Sequence, residues 1–387
     1  MATERQAVLV RYGEIGIKSR QTRRRMSRIL ADRIRSALGD SGVSLRSVRI
    51  EFGRIFVFTD EAERAAQVIS GVFGVASTSP VRVIHATLED ILETGVKMAR
   101  ESFRPGRSFA VGARRMGEHE FSSQDIREQL GARILSDLAD LDLRVDLKTP
   151  EQRIYVEVRD DKAYLFTESY PGVGGMPTGT QGELVCIISG SLSSAVAAFR
   201  VMKRGCTPVF LVILGREVLD RERAEQPFAL MVARRLARFV HGQSVPTYVV
   251  PASRLLPKTG SDVTRARCVL WRRATVRLAA AIAKRHDADG IVIGDVVGET
   301  CHQSLGVIRL LSADTGGLPL FTPCFGDDLD DLRTVPVGLD DPSGLLVTEC
   351  LIQCECEDLA LESVASEELV CCIDPDSLLS DIERMEL

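Results

Sequence analysis

The chain has 387 residues, of which 45 % are apolar and 27 % charged, with a formal net charge of −5. That is an ordinary soluble balance, with room for two or three domains at ~150 residues each. There is no apolar run of ~18 residues to serve as a transmembrane helix, and the start, MATERQAVLVRYG, has no signal-peptide core, so a cytoplasmic protein without a membrane partner is expected.

In chain order, Ala7–Arg11 reads as a strand, Arg11–Lys18 as a turn, and Arg20–Leu38 as a helix with Met26, Ile29, Leu30, Ile34 and Leu38 on its apolar side. Strands at Val48–Phe52 and Arg54–Phe58 and a helix at Glu61–Ser70 complete residues 1–70, compatible with a ferredoxin-like unit. A second α+β unit, 71–171, has strands at Ser79–His85, Ser108–Arg115, Val145–Leu147, Arg153–Val158 and Lys162–Glu168. Its helices are Leu88–Phe103 and Ser122–Leu138, the latter capped by Ser122 or Ser123. Residues 172–182, rich in Gly, Pro and Thr, read as a linker.

From 183 to 340 strands and helices alternate. The strands are Leu184–Ile188, Pro208–Ile213, Thr247–Val250 and Gly290–Ile293, and the main helices Gln226–Phe239 and Val263–His286. Such alternation predicts a doubly wound parallel sheet, whose ligands bind beyond the carboxyl ends of the strands. Ser189 and Gly294 fall at that edge. Residues 341–387 form an acidic, cysteine-rich segment whose one basic residue is Arg384.

Charge is unevenly spread. Arg11, Lys18, Arg20, Arg23, Arg24, Arg25 and Arg28 crowd the first helix and the turn before it, opposed by few acids. A basic head with an acidic tail points to a nucleic-acid face at the head, although an arginine run also reads as a solvated helix face. Arg114 and Arg115 stand where a strand meets a loop, which suits phosphate contact. The ten cysteines include Cys186 and Cys206 in apolar surroundings and Cys350, Cys354, Cys356, Cys371 and Cys372 near the end. In a reducing compartment such a cluster suggests metal or sulfur chemistry before disulfides.

The stretch Glu183–Arg200, ELVCIISGSLSSAVAAFR, is a buried strand, a small-residue loop and a helix start. That combination makes an anion site of backbone N–H groups and helix dipole. It carries neither a Walker lysine nor a dinucleotide fingerprint. The loop Ser189-Gly190-Ser191-Leu192-Ser193-Ser194 resembles the SGGxDS pyrophosphate loop of ATP pyrophosphatases, with Ser191 for the second glycine and Ser193 for the aspartate.

Three further stretches accompany it: Val10–Ser19 (VRYGEIGIKS), Val111–Ile126 (VGARRMGEHEFSSQDI) and Gly294–Leu305 (GDVVGETCHQSL). Together, in order and spacing, they resemble the tRNA 4-thiouridine synthetases (tRNA sulfurtransferases), in the short archaeal-like form without a rhodanese domain. The second stretch resembles the family's RNA-binding THUMP domain, and the last its G-[ED]-x-x-G-Q-x-x-S-Q-T-L segment. The resemblance implies ATP with Mg2+ as cosubstrate, tRNA as partner, a persulfide carrier or sulfide as sulfur donor, and a homodimer as the assembly to consider.

It further implies that Ile187 and Ile188 touch the nucleotide, that Ser189, Gly190 and Ser194 cradle phosphate, and that Gly294 and Gln303 line the site. Arg272 takes the place of a family lysine, keeping the charge with a different shape. Arg11, Lys18, Arg23, Arg24, Arg25, Arg114 and Arg115 are the expected RNA contacts. Cys268 and Cys350 are the expected catalytic thiols or iron–sulfur ligands; Trp271 stands where short forms complete a C-x-x-C, and Cys354 or Cys356 is left open as a third ligand. For Cys268 the other reading is a buried helix cysteine, and for His302 a solvated loop residue. Two functions follow: an ATP-dependent enzyme that adenylates and thiolates a tRNA uridine, or a paralogue that binds tRNA without turnover. On the second reading Ser193→Asp with Ser191→Gly would restore the loop.

Overall fold

The computed structural model describes residues 5–51, 53–214, 228–255, 267–299, 303–336, 375–380 and 382–387. The chain forms two compact units that divide after Met176.

In the first unit, the described strands form one sheet in the order β2-β3-β1-β4-β8-β7-β5-β6, with β9 beside β4. They are β1 (Arg5–Arg11), β2 (Ser47–Glu51), β3 (Arg54–Phe58), β4 (Ser77–His85), β5 (Ser108–Met116), β6 (Arg144–Val145), β7 (Gln152–Arg159), β8 (Lys162–Phe166) and β9 (Tyr170–Pro171). β4 pairs with β1 on one side (Val8↔Pro80) and β8 on the other (Val83↔Tyr164), so the sheet runs unbroken past residue 70. Strand alternation sends Val8, Val10, Ile55 and Val57 to α1 (Arg20–Asp40) and α2 (Ala62–Ser70), where Leu30, Ile34, Ala65 and Ile69 meet them. The opposite face buries Ala7, Leu9, Phe56, Val81 and Tyr164, with Phe56 stacked on Tyr164 at 4.5 Å.

α3 (Leu88–Ser102) and α4 (Ser123–Asp137) cover Val111, Ile154, Val156 and Leu165. Ser122 is the N-cap of α4 and forms a capping box with Asp125, which fixes where that helix begins.

The second unit holds the expected doubly wound sheet, β14-β13-β10-β11-β12-β15. Its strands are β10 (Glu183–Ile188), β11 (Thr207–Leu214), β12 (Pro246–Pro251), β13 (Gly290–Val292), β14 (Leu320–Phe321) and β15 (Glu383–Glu386). All neighbours are parallel except β15, which runs antiparallel to β12. A continuous apolar run on both faces, such as Val209, Phe210, Leu211 and Val212, reads as a central parallel strand and is fully buried in β11.

The helices are α5 (Leu192–Lys203), α6 (Phe228–Ala237), α7 (Arg267–His286), α8 (Leu305–Ala313), α9 (Leu329–Arg333) and α10 (Pro375–Ser380). The chain moves outward from β10 to β11 and β12 on one side and to β13 and β14 on the other. The gap between the carboxyl ends of β10 and β13 is therefore the switch point where such sheets bind ligands. The end of the acidic segment, read only by its composition, supplies α10 and β15; Leu378, Leu379 and Ile382 join the core around α7. No described helix is long and apolar enough to cross a membrane.

Candidate nucleotide and nucleic-acid sites

The loop after β10 turns at Gly190, whose φ of +86° places it in the left-handed region that favours glycine. Ser191 then caps α5: its Oγ accepts from Ser194 N at 3.2 Å, and its own φ is −73°. The positive φ of this turn thus falls at Gly190 and not at Ser191. The helix starts at Leu192 because the cap is Ser191.

Four serines link around this end. Ser189 Oγ and Ser191 Oγ are 3.1 Å apart, Ser191 Oγ and Ser193 Oγ 3.2 Å apart, and Ser189 N donates to Ser194 Oγ at 3.3 Å. Rotatable hydroxyls and backbone N–H groups at a helix N-terminus are an anion-binding set.

Gly294 closes the other side. A Cβ on Gly294 would lie 2.4 Å from Ser194 N and 2.6 Å from Ser193 C, so the two loops touch backbone to backbone. The next residue, Asp295, is 5 % exposed and takes both its oxygens to Nη2 of Arg272, itself 9 % exposed; the bond to Oδ1 is 2.5 Å. The structure thus brings Ser189, Gly190, Ser194, Gly294 and Arg272 to one sheet edge. Ile187 and Ile188 end the strand beneath them, and Gln303 accepts from Gly298 N at 3.3 Å on the neighbouring turn.

α5 is locked behind this site. Arg200 Nη1 donates to Pro323 O at 2.7 Å, and Nη2 to Asp327 Oδ1 at 3.0 Å. Cys324 lies against Ser193 O at 3.5 Å, and burial pushes its thiol up to about 12, which makes it inert packing. On the opposite side Asp314 receives Arg273 Nε and Arg277 Nε at 2.7 Å each. Burial likewise raises the Cys186 and Cys206 thiols, in keeping with the core roles expected for them.

Cys268 is 0 % exposed on α7 and disulfide-bonded. Trp271 follows it by three residues on the same helix, 9 % exposed, with no partner for its indole N–H among the described residues. A thiolate-held cluster needs reduced sulfurs facing a shared space. One buried, already bonded cysteine beside an indole does not fit that need. Cys350, Cys354, Cys356 and His302 lie outside the described residues.

In the first unit, Arg11 faces inward. Its Nη2 bonds Glu157 Oε1 at 3.2 Å, its Nη1 bonds Ser79 at 3.0 Å, and its guanidinium lies 4.8 Å over Phe166. Burial lowers its pKa although Glu157 opposes the shift. Arg11 and Arg114 line one groove of about 1130 Å³ together with Arg127 and Arg153. The groove floor carries Tyr155 stacked on Phe166 at 5.0 Å, and Arg153 lies 6.0 Å over Tyr155. Gly112 makes room for this floor, since a Cβ there would meet Tyr155 Cδ1 at 2.7 Å.

A second cavity of about 490 Å³ gathers Arg54, Arg114, Arg115 and Arg159 around Glu157. Arg114 and Arg115 lie at the end of β5, as the sequence places them, with Arg114 in register with Glu157. Lys18, Arg23, Arg24 and Arg25 are outside both linings; Arg24 and Arg25 stand exposed on α1. Stacked rings rimmed by arginines make a platform for unpaired bases and phosphates. Sequence reasoning missed Tyr155, Phe166, Arg127 and Arg153, because an aromatic on a strand reads first as core.

Family models match in three places: residues 7–79 to a ThiI ferredoxin-like domain, 85–168 to a THUMP domain, and 179–337 to the thiamine biosynthesis protein (ThiI) family. The chain is 34 % identical over 337 residues to a probable tRNA sulfurtransferase of Thermococcus kodakarensis, covering 84 % of this chain and 85 % of the relative. A probable tRNA sulfurtransferase of Methanosarcina mazei is 34 % identical over 385 residues, covering 95 % and 94 %. The crystal structure of a Pyrococcus horikoshii protein superposes with a TM-score of 0.65 at 28 % identity, covering 85 % of this chain and 98 % of that one. A 4-thiouridine synthetase–RNA complex with bound ATP shares the fold, with a TM-score of 0.77 at 21 % identity, over 99 % of this chain and 100 % of that one.

Proposed function

The chain belongs to the tRNA sulfurtransferase family, and from that premise we propose that it spends ATP to activate a uridine of tRNA and replaces O4 of that base with sulfur. The observation that carries this reading is the contact of Gly294 with Ser193 and Ser194 at the switch point, beside the buried Arg272–Asp295 pair. The α- and β-phosphates would lie on the N–H groups and hydroxyls of Ser189, Gly190 and Ser194, with Ile187 and Ile188 beneath the nucleotide and Gln303 on the rim. Uridine O4 attacks the α-phosphorus, the bond to the β-phosphate oxygen breaks, and pyrophosphate leaves. Arg272 faces the charge that develops on the departing group.

Sulfur then attacks C4, and AMP leaves with the former O4. The sulfur arrives as sulfide or from a persulfide carrier. In the persulfide route Cys350 holds the transferable sulfur, and attack leaves a C4–S–S–Cys350 bond. The Cys268 thiolate attacks Cys350 Sγ, giving 4-thiouridine and a Cys268–Cys350 disulfide, which an external dithiol reduces. The disulfide at Cys268 supports this chemistry. Peptide mapping under non-reducing conditions should recover Cys268 joined to Cys350, and Cys268→Ala should lose turnover with persulfide donors. A Cys268 peptide joined to some other cysteine would sink the pairing.

The first unit would hold the tRNA, with Arg11 and Arg114 in the groove, Arg115 in the adjoining cavity, and Lys18, Arg23, Arg24 and Arg25 extending the basic surface. Replacing Arg114 and Arg153 by alanine should weaken tRNA binding and reduce the salt slope by about 1 for each phosphate no longer neutralised. Filter binding across a salt series reads this, and an unaltered slope would show that neither arginine touches phosphate. The reading without turnover is not favoured, because the loop keeps its turn and its helix cap. The decisive assay combines unmodified tRNA, ATP and sulfide, and follows pyrophosphate release and 4-thiouridine by mass spectrometry. Intact tRNA and ATP binding with neither product would reject the enzyme.

A further inference from the structure

We propose that Glu299 is the carboxylate that holds the divalent cation of the bound nucleotide, in the place left without one by Ser193. This rests on the ATP reading above. A polyphosphate on a helix N-terminus is turned over with a hard cation, and such ions use one or two protein carboxylates, with phosphate oxygens and water completing the shell. The loop offers only hydroxyls, and that of Ser193 is engaged with Ser191 at 3.2 Å. Asp295 at the same edge has both oxygens on Arg272. Asp327, behind α5, is held by Arg200.

Glu299 differs from these. The residue is half-buried, and its Oε1 atom is fully buried without a hydrogen-bond partner among the described residues. Burial pushes its carboxyl pKa up, with no cation offsetting the lost hydration. A buried carboxylate oxygen without a partner is costly, and such a cost is retained where a ligand repays it.

Its position is fixed by the turn that follows β13. Val297 N donates to Phe325 O at 3.2 Å, Gly298 N to Gln303 O at 3.3 Å, and Glu299 N to Val296 O at 3.4 Å. That turn begins at Gly294, whose backbone rests on Ser193 and Ser194. β10 and β13 are adjacent parallel strands, with Cys186 opposite Val292, so both loops leave the same edge of the sheet. The fourth sequence motif carries the same information: Glu299 stands at a position where the family segment has glutamine. The chain therefore exchanges a carboxylate on the loop for one on the facing turn, and the charge available to a cation is conserved.

The test is calorimetric titration of the full-length protein with ATP, once in Mg2+ and once in EDTA, for wild type and Glu299→Gln. The substitution keeps shape and removes charge. Loss of a group that merely supports a metal ligand costs about 10- to 100-fold in metal affinity, so the ligand itself should cost at least about tenfold in MgATP affinity. Metal-free ATP should bind the variant as well as it binds wild type, or better. Without ligand the variant should melt at the wild-type temperature or above it, because an unpaired buried charge has been removed. Equal MgATP affinity in the two proteins overturns the proposal, as does an equal loss with and without metal or a lowered melting temperature. If wild type binds no ATP in either buffer, the nucleotide reading itself fails, and this proposal with it.

Discussion

Gly294→Ala is expected to weaken ATP binding strongly and to cut pyrophosphate release by about 100-fold, while leaving tRNA affinity in place. The added Cβ would sit 2.4 Å from Ser194 N, 2.5 Å from Ser194 Cα and 2.6 Å from Ser193 C, and these are backbone atoms that no rotamer change can clear. The helix they belong to has little freedom to retreat. Ser194 N is bound to the Ser191 cap, the run from Leu192 to Phe199 is buried, and Arg200 ties the far end to Pro323 and Asp327. Relief therefore comes from pushing the loop and β13 apart, a shift of roughly 1 Å at the phosphate cradle. Displacements of that size cost about 100-fold at a reacting centre, and overpacking costs about 1–3 kcal/mol of stability. Calorimetry with ATP and a thermal melt read the two effects. Gly326→Ala is the control, since a Cβ at Gly326 meets nothing within 4 Å. Wild-type ATP affinity in Gly294→Ala would show that the two loops do not jointly form the nucleotide site.

What was legible in the sequence was whatever a short window encodes. The apolar run Ile55–Phe58 in β3 and the buried run of β10 gave their strands, and Ser122 or Ser123 marked the start of α4, which the structure caps with Ser122. The small-residue loop after β10 located the switch point, because a strand, a turn and a helix N-terminus are contiguous in the chain. Contacts between distant residues were not legible. Arg272 and Asp295 are 23 positions apart, and Arg11 and Glu157 146 apart, and no local pattern reports that they meet. For this reason the sequence shows Arg11 only as a basic residue of the head and not as one anchored by Glu157, Ser79 and Phe166. At Ser191 a motif comparison sees only a missing glycine; it does not show that Ser191 caps α5 or that the positive φ of the loop falls at Gly190. α10 and β15 went unread because a charged, cysteine-rich composition masks two short elements whose stability comes from α7 and β12.

Glu157→Ala should be the most damaging single change in the first unit. Glu157 is 6 % exposed and Arg159 7 %. Its Oε1 takes Arg11 at 3.2 Å, its Oε2 takes Arg159 at 3.0 Å, and Arg54 adds a coulombic pull. Removing the carboxylate leaves several guanidinium groups together in a place that water reaches poorly. Breaking a buried pair from one side costs about 3–5 kcal/mol, because the stranded charge stays desolvated. At about 2–4 °C per kcal/mol for a unit of this size, its melting transition should fall by roughly 6–20 °C.

Acid supplies a second readout. Burial pushes the Glu157 carboxyl up, but Arg11, Arg159 and Arg54 outweigh burial and hold it below the ordinary glutamate range. A folded-state pKa below the unfolded one adds stability that is complete above the unfolded value and is lost as pH falls through the folded one. Wild type should therefore lose part of its stability as pH drops below the glutamate range, and Glu157→Ala should lack that part of the slope. Glu157→Gln keeps an acceptor for Arg11 and Arg159 without the charge, so it should share the altered acid slope at a smaller cost in stability. Denaturant titrations of the three proteins between neutral and acidic pH separate the outcomes. Parallel slopes in wild type and Glu157→Ala would mean that the arginines around the groove are balanced by some other group, and that Glu157 is not what holds Arg11 in place above Phe166.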